Sequence, residues 1–348
     1  MTSSHTSRYH SFLSGFERLF SRYFWLIPVF SFCFGWASFV LVQRGESLAQ
    51  LIAWMAFGGW VWLFIQPLVS RRVFGEKYQT LSSNVSNFLS QSIQQEIFFF
   101  ALPFLFAASQ WQSAGQLVFT GFILAAAMLS TIDPWYDRYI SRHRLISFAF
   151  HALCSFVAAL VILPIALKLP TEKTLAVALG MLVFWMAFAT PTLIKLTPQG
   201  KPRVLVLLAV CALPALMWFG RSGIPAAGLE VTRAVIAAQV ENHEPVNEMA
   251  QLSVDQLQNG VYAYVAIRAP NGLTQGILFD WRHQDYHESI EAEITGGREE
   301  GYRTYSMKSN FPEPATGVWS VDVRTAQGQL LRRISFTVSP SIEPSKPT

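Results

Sequence analysis

Residues 145–167, LISFAFHALCSFVAALVILPIAL, decide the fold. They run without an Asp, Glu, Lys or Arg for longer than the ~20 residues that a helix needs to cross ~30 Å of hydrocarbon. Arg138, Arg142 and Arg144 stand before the run, and Lys168 and Lys173 stand behind it. Working outward, six more apolar stretches lie at 24–42, 51–69, 93–109, 116–132, 174–194 and 204–219. The third extends backwards through the Ser/Asn/Gln-rich run 84–95, which reads as its polar entry helix. Together they predict an all-α polytopic bundle of about seven transmembrane helices over residues 24–219.

The basic residues between these stretches set an orientation. Twelve fall on one side (Arg8, Arg18, Arg22; Arg71, Arg72, Lys77; Arg138, Arg142, Arg144; Lys195, Lys201, Arg203) and three on the other (Arg44, Lys168, Lys173). Short loops rich in Lys and Arg stay in the cytoplasm. The split therefore places a cytoplasmic tail at 1–23 and exports everything after residue 219. The first stretch follows a polar tail and lacks an Ala-x-Ala-like exit, so it reads as a retained signal anchor.

Averages over the chain conceal two halves. The whole is 51% hydrophobic and 14% charged. Residues 1–219 hold 15 Lys/Arg against 7 Asp/Glu, and residues 220–348 hold 11 against 15. The positive charges of the first half sit at the ends of apolar spans, where they meet lipid headgroups, so they imply no nucleic-acid partner. Cys33, Cys154 and Cys211 all lie inside apolar stretches, and the exported half has no cysteine to build a disulfide framework.

From Gly220 onward the hydrophobic period becomes two. Segments 229–240, 261–268, 274–282, 288–295, 302–309, 318–325 and 329–338 alternate apolar and polar residues. Turn residues separate them, among them Pro270-Asn271-Gly272, Gly296-Gly297-Arg298 and Ala326-Gln327-Gly328. Val261, Ala263, Val265 and Ile267 oppose Tyr262, Tyr264 and Arg268; Trp319, Val321 and Val323 oppose Ser320, Asp322 and Arg324. Short strands at this spacing predict an all-β, immunoglobulin-like antiparallel sandwich over 220–338, followed by a disordered Pro-rich tail at 339–348.

Candidate chemistry is sparse. The chain has no Gly-x-Ser-x-Gly, His-Glu-x-x-His, Walker-type loop or Gly-x-Gly-x-x-Gly, so no catalytic residue is named and no cofactor is expected. His283 and His287 flank a turn rather than sharing a helix face, and no metal site is assigned. Polar groups inside a membrane are costly, which singles out Glu96 and His151. In the loop 133–144, Asp133 and Asp137 stand four apart and His143 follows. The trio could bind a metal or perform acid–base work, or Asp133 could cap a short interfacial helix with Pro134 at its first position. In the exported half, Arg298, Arg303 and Lys308 with Tyr305 and Trp281 could recognise an anion or a sugar ring. The rival is a solvated strand whose cations pair with nearby glutamates.

Gly260-Val261-Tyr262-Ala263-Tyr264, Ala269-Pro270-Asn271-Gly272-Leu273, the run 296–311 and Gly317-Val318-Trp319-Ser320-Val321 resemble a family of bacterial C-terminal domains of unknown function. That family is found behind multi-pass inner-membrane segments. The first half, with Leu102-Pro103-Phe104 and Asp133-Pro134-Trp135-Tyr136, is similar to its usual companion. The resemblance covers nearly the whole chain. It implies a bacterial envelope location and this architecture, and it transfers no catalytic residue.

The sequence thus predicts a bacterial inner-membrane anchor whose periplasmic sandwich binds an envelope protein or glycan, with the lipid bilayer as its other partner. Two rivals stand beside it. One is a transporter or channel using Glu96 and His151; the other is an enzyme acting on lipid at the loop 133–144.

Overall fold

A computed structural model describes residues 51–62, 79–196 and 201–340 apart from Glu299, together with Ile65 and scattered positions between 29 and 40. The predicted tail at 1–23, most of the stretch 24–42, the end of the stretch 51–69 and positions 341–348 lie outside the described residues. The helical half comprises α1 (Leu51–Trp62), α2 (Gln79–Ala108), α3 (Ala114–Thr131), α4 (Arg144–Ala166), α5 (Thr171–Leu196) and α6 (Lys201–Phe219).

Three of these are long and apolar enough to cross a membrane: Ala114–Thr131, Leu145–Ala166 and Thr171–Pro191. Where the sequence predicts about seven such helices, the described residues contain three. α2 falls short because its middle carries Gln91, Gln94, Gln95 and Glu96, and α1 is described over only 12 residues. The polar entry run and the third stretch do form one continuous helix of 30 residues.

Two helices are central. On α2 every side chain from Ile97 to Leu102 is buried, and on α4 every residue from Cys154 to Ala166 is buried. A helix enclosed all round reads as apolar on every face, so these runs lack an amphipathic period.

The second half folds into nine strands among the described residues. They are β1 (Glu230–Glu241), β2 (Glu244–Glu248), β3 (Gln251–Ser253), β4 (Val261–Arg268), β5 (Thr274–His283), β6 (Tyr286–Thr295), β7 (Tyr302–Lys308), β8 (Gly317–Thr325) and β9 (Leu330–Ser339). One sheet has the order β2-β1-β4-β7 and the other β3-β9-β8-β5-β6. All pairings are antiparallel except the short β3–β9 contact.

The core lies between the sheets. Val261, Ala263, Val265 and Ile267 from one meet Phe279, Trp281, Trp319, Val321 and Val323 from the other, all fully buried. Trp281 Nε1 crosses the gap to donate to Ser306 Oγ at 3.0 Å. The two unforeseen strands are both edge elements. β2 contains Pro245, which an edge strand tolerates because it needs no ladder on its outer side. Asn242 and His243 join it to β1 with both residues at positive φ, 50° and 61°, as a tight hairpin requires.

Glutamines fasten the sandwich to one end of the bundle. In the α2–α3 turn, Gln110 Oε1 accepts from Arg333 N at 3.1 Å. Gln116 Nε2 donates to Leu330 O at 2.7 Å and to Ser222 O at 3.2 Å. After α4, Thr171 N and Oγ1 each donate to Gln275 Oε1 at 2.8 Å. After α6, Arg221 reaches Gln327 O, and Gln329 Nε2 donates to Ile224 O at 3.2 Å. Gln116, Gln275 and Gln329 are all buried, so they replace water at backbone groups that loops would otherwise leave bare. The three turns that the Lys/Arg split assigns to a common side thus all meet the sandwich.

Candidate functional site

Pleating sorts the predicted cluster before any chemistry is considered. On β7, Arg303, Tyr305 and Met307 point away from the partner sheet, while Ser306 and Lys308 point into it. The predicted cluster therefore divides in two.

The outward group lies on the four-stranded sheet. Arg303 sits across from Ala266, which sits across from Arg233; Tyr305 sits across from Tyr264. Arg303 Nη1 contacts Glu244 at 2.8 Å and Nη2 contacts Glu300 at 2.6 Å. Arg233 pairs with the same Glu244 at 3.1 Å and with Glu248. The tip of the β1–β2 hairpin lies against this face, since Tyr264 Oη donates to His243 O at 3.1 Å. Tyr305, 43% exposed, meets the Tyr262 ring edge-on at 5.6 Å.

Arg298 lies over the Tyr302 ring at 5.0 Å. Asn242, His243, Arg298, Glu300, Gly301 and Arg303 line one open depression. Gly301 makes the approach possible. Its φ is +94°, and a side chain there would press on the Ile267 backbone at 3.0 Å. Arg298, Arg303 and Tyr305 thus come together, in a setting where glutamates balance the cations.

The inward group is structural. Lys308, with only 2% of its side chain exposed, is held by Glu288 and by Tyr286 Oη at 2.7 Å, over the Tyr286 ring at 4.5 Å. Hydrogen bonds from Lys308 and Tyr286 hold the Glu288 carboxyl below the usual carboxylate range. Trp281 is fully buried in the core. Neither reaches a surface ligand, because even-numbered positions of β7 and odd-numbered positions of β5 face the other sheet. His283 is also interior, stacked on Trp319 at 4.5 Å, whereas His287 lies on the outer face 3.7 Å from Asp280. Among the described residues no three His, Cys, Asp or Glu are grouped to hold a metal ion.

Sequence reasoning missed a network on the outer face of the five-stranded sheet. Asp280 and Asp322 are cross-strand neighbours, both buried. Arg333 grips Asp322 with two bonds, 2.5 and 2.8 Å, and Arg324 Nη2 adds a third at 2.7 Å. Arg324 Nε also lies 3.2 Å from Asp280, and Ser289 Oγ donates to Asp280 at 2.5 Å. Burial alone would raise the Asp322 carboxyl, but the hydrogen bonds and charges of Arg333 and Arg324 outweigh it and hold that carboxyl below its ordinary value. The signal was present as two Asp-x-Arg triplets, Asp280-Trp281-Arg282 and Asp322-Val323-Arg324. It becomes visible only when the register sets the aspartates side by side.

In the bundle, Glu96 is exposed on the surface of α2, and His151 Nδ1 lies 2.8 Å from Ser147 O of its own helix. The loop 133–144 is tied to α2 instead. Gln91 Nε2 donates to Asp133 Oδ1 at 2.7 Å, Tyr136 Oη donates to Gln94 Oε1 at 2.8 Å, and Asn87 Nδ2 donates to Ser141 Oγ at 3.3 Å. Asparagine and glutamine at 87, 91 and 94 share one helix face, which explains the polar run 84–95. Burial first, and the Asp137 charge after it, push the Asp133 carboxyl up against the opposing Gln91 hydrogen bond. Asp133 is the first residue of a helical turn (Asp133–Trp135) whose N-cap is Ile132, so it does not cap that turn. Asp137 and His143 are exposed, with His143 at the N-terminus of α4.

Residues 274–338 match a family described as a protein of unknown function, DUF2914. No curated protein and no solved structure matches the chain. A second match, to the family of unknown function DUF5924, spans residues 6–263, which is most of the chain and includes every helix of the bundle. The chain belongs to the DUF5924 family.

Proposed function

We propose that the chain is a multi-pass protein of the bacterial inner membrane, with about seven spans, its N-terminus in the cytoplasm, and an immunoglobulin-like sandwich presented to the periplasm. In this reading the sandwich is a binding module for an envelope protein or glycan. The observation that carries it is the convergence of Arg298 and Arg303 on one depression beside the Tyr262–Tyr305 pair. Forked guanidiniums next to rings suit a planar anion or a sugar acid. The depression belongs to a sandwich that Gln110, Gln116 and Gln275 join to the helical half by hydrogen bonds.

The membrane placement draws on the twelve-to-three distribution of Lys and Arg. It draws also on exposed aromatics at the two ends of α3, Trp111 before it and Trp135 after it. The eighteen-residue helix between them is about 27 Å long, close to the ~30 Å of a hydrocarbon core. The transport and lipid-enzyme readings lack such an observation. Glu96 faces outward, His151 is tied to its own helix, and Asp133 is occupied by Gln91.

Full-length protein in nanodiscs tests the binding reading with purified envelope-glycan fragments as the probe. Replacing Arg303 with Ala lowers affinity by about 1–3 kcal/mol, the range for a charge-assisted hydrogen bond. The melting curve barely moves, because partly exposed ion pairs are worth ~0–1 kcal/mol. Unchanged binding together with a large loss of stability would make Arg303 a structural ion-pair residue and remove the proposal.

A further inference from the structure

Among the described residues the two sheets end in the edge strands β2, β7, β3 and β6, and all but the last are guarded. β2 is five residues long and carries Pro245, β3 is three residues long, and β7 carries Arg303 and ends on Lys308. Short length, proline and basic side chains keep an edge from pairing with another chain. β6 has none of these. Its ten residues, Tyr286–Thr295, contain no Pro, Gly, Lys or Arg. They pair with β5 in an unbroken register, from His283 opposite Tyr286 to Thr274 opposite Thr295.

Backbone parity shows what this edge offers. Gly296 N, just past the strand, donates to Leu273 O at 2.7 Å. Successive residues of a strand turn their N–H and C=O groups to opposite sides. Even-numbered residues of β6 therefore bond β5, and His287, Ser289, Glu291 and Glu293 direct both backbone groups to the open side. No strand lies there among the described residues. The side chains of these four are exposed, whereas Ile290 and Ala292 are half-buried on the inner face. Glu291 and Glu293 have no ion pair among the described residues, unlike Glu288, which Lys308 holds.

We infer that β6 accepts, as an added antiparallel strand, an extended segment of another protein with Lys or Arg at alternate positions and apolar residues between them. Charge complementarity selects this occupant. Residues placed directly across from Glu291 and Glu293 share their face, so cations are favoured there. The residues between them point to the other face, beside Ile290 and Ala292. Backbone bonds supply the affinity, and the two carboxylates choose the partner. A second copy of the chain meets a conflict. Thr171 of the bundle donates to Gln275, and Gly276 stands across from Glu293, so β6 runs toward the bundle. Two copies upright in one membrane therefore pair their β6 strands only in parallel, which sets carboxylates beside carboxylates.

The inference rests on the membrane placement and on the reading of the sandwich as a binding module. Its test is the full chain in nanodiscs, titrated with a short labelled peptide of alternating Lys and Val and with its Glu-Val counterpart. The Lys-Val peptide binds ~10-fold tighter than the Glu-Val peptide, and Glu291→Gln/Glu293→Gln removes most of that preference. N-methylation of the lysines keeps every charge but removes the N–H groups facing β6, and it abolishes binding. N-methylation of the valines, whose N–H groups face away, leaves binding intact. Amide hydrogen exchange over 287–293 slows in the complex. Equal binding of the two peptides overturns the inference, as does no binding of either. Binding that survives lysine N-methylation without slowed exchange is surface charge attraction and overturns it too. A dimer that protects 287–293 makes a second copy the occupant and overturns it as well. If any of these occurs while envelope-glycan fragments still bind through Arg303, the binding-module reading stands and only the added strand falls.

Discussion

A fragment limited to residues 274–338 remains unfolded, while residues 225–340 fold alone and melt cooperatively. The family match at 274–338 begins at β5 and ends at β9, so it contains all long strands of one sheet but only β7 of the other. Without β4 the chain loses Val261, Val265 and Ile267, each fully buried. Trp281, Phe279, Trp319 and Val321 would then face water. Exposing a large apolar side chain costs about 1.5–3 kcal/mol, so these four exposures together forfeit about 6–12 kcal/mol, as much as the ~5–15 kcal/mol by which a whole domain is stable. Circular dichroism with thermal melts on both fragments decides the matter. A cooperative melt of 274–338 would mean that the five-stranded sheet is a domain by itself. Reducing agent changes neither trace, since residues 225–340 contain no cysteine.

The second large effect is at Asp322. Replacing it with Ala destabilises the sandwich by about 3 kcal/mol, the lower end of the range for breaking a buried ion pair because Arg333 is half in water. Its side chain is fully buried, and its removal leaves the Arg324 guanidinium, 17% exposed, beside Asp280 alone. At ~4 °C per kcal/mol for a domain of this size, the melting temperature falls by roughly 12 °C.

The same carboxyl makes stability depend on pH. Its folded pKa lies below the unfolded value of ~3.9, so it contributes fully above about pH 4 and is lost as pH falls through the folded value. Glu288, depressed by Lys308 and Tyr286, acts in the same direction. Wild type therefore loses stability steeply below about pH 4, and Asp322→Ala loses less over that range. Parallel pH curves for the two proteins would contradict this role for Asp322.

Strand positions were legible because a sheet with one buried face writes its period into the sequence. All seven expected strands form, and the inward residues on β4 and β8 are the ones alternation selects. β2 and β3 escaped notice for a physical reason: edge strands bury too little to need an apolar pattern, and β2 even accommodates Pro245. Lys308 was misread because a long amphipathic side chain at a strand end can bury its stem and pair its head, and cation chemistry alone does not reveal this. Alternation already separated it from Arg303.

The helices from 79 to 219 fall where the apolar stretches are, though only three of the expected spans reach membrane length among the described residues, and the roles of polar residues inside the bundle were not legible. Asn87, Gln91 and Gln94 look like an interruption of an apolar helix until the loop 133–144 is packed against them. Gln110, Gln116 and Gln275 carry no pattern at all, since each serves a partner more than a hundred residues away. Register, which one-dimensional periodicity does not contain, created the Asp280–Asp322 pair.

The side of the membrane on which the sandwich stands is the claim on which the rest depends. A reporter enzyme active only in the periplasm, fused in full-length and truncated chains after Thr348 and after Arg142, reads it directly. The Lys/Arg distribution and the docking of the 109–113, 167–170 and 220–224 turns to the sandwich predict activity after Thr348 and none after Arg142. Activity after Arg142 and silence after Thr348 would place the sandwich in the cytoplasm and contradict the account.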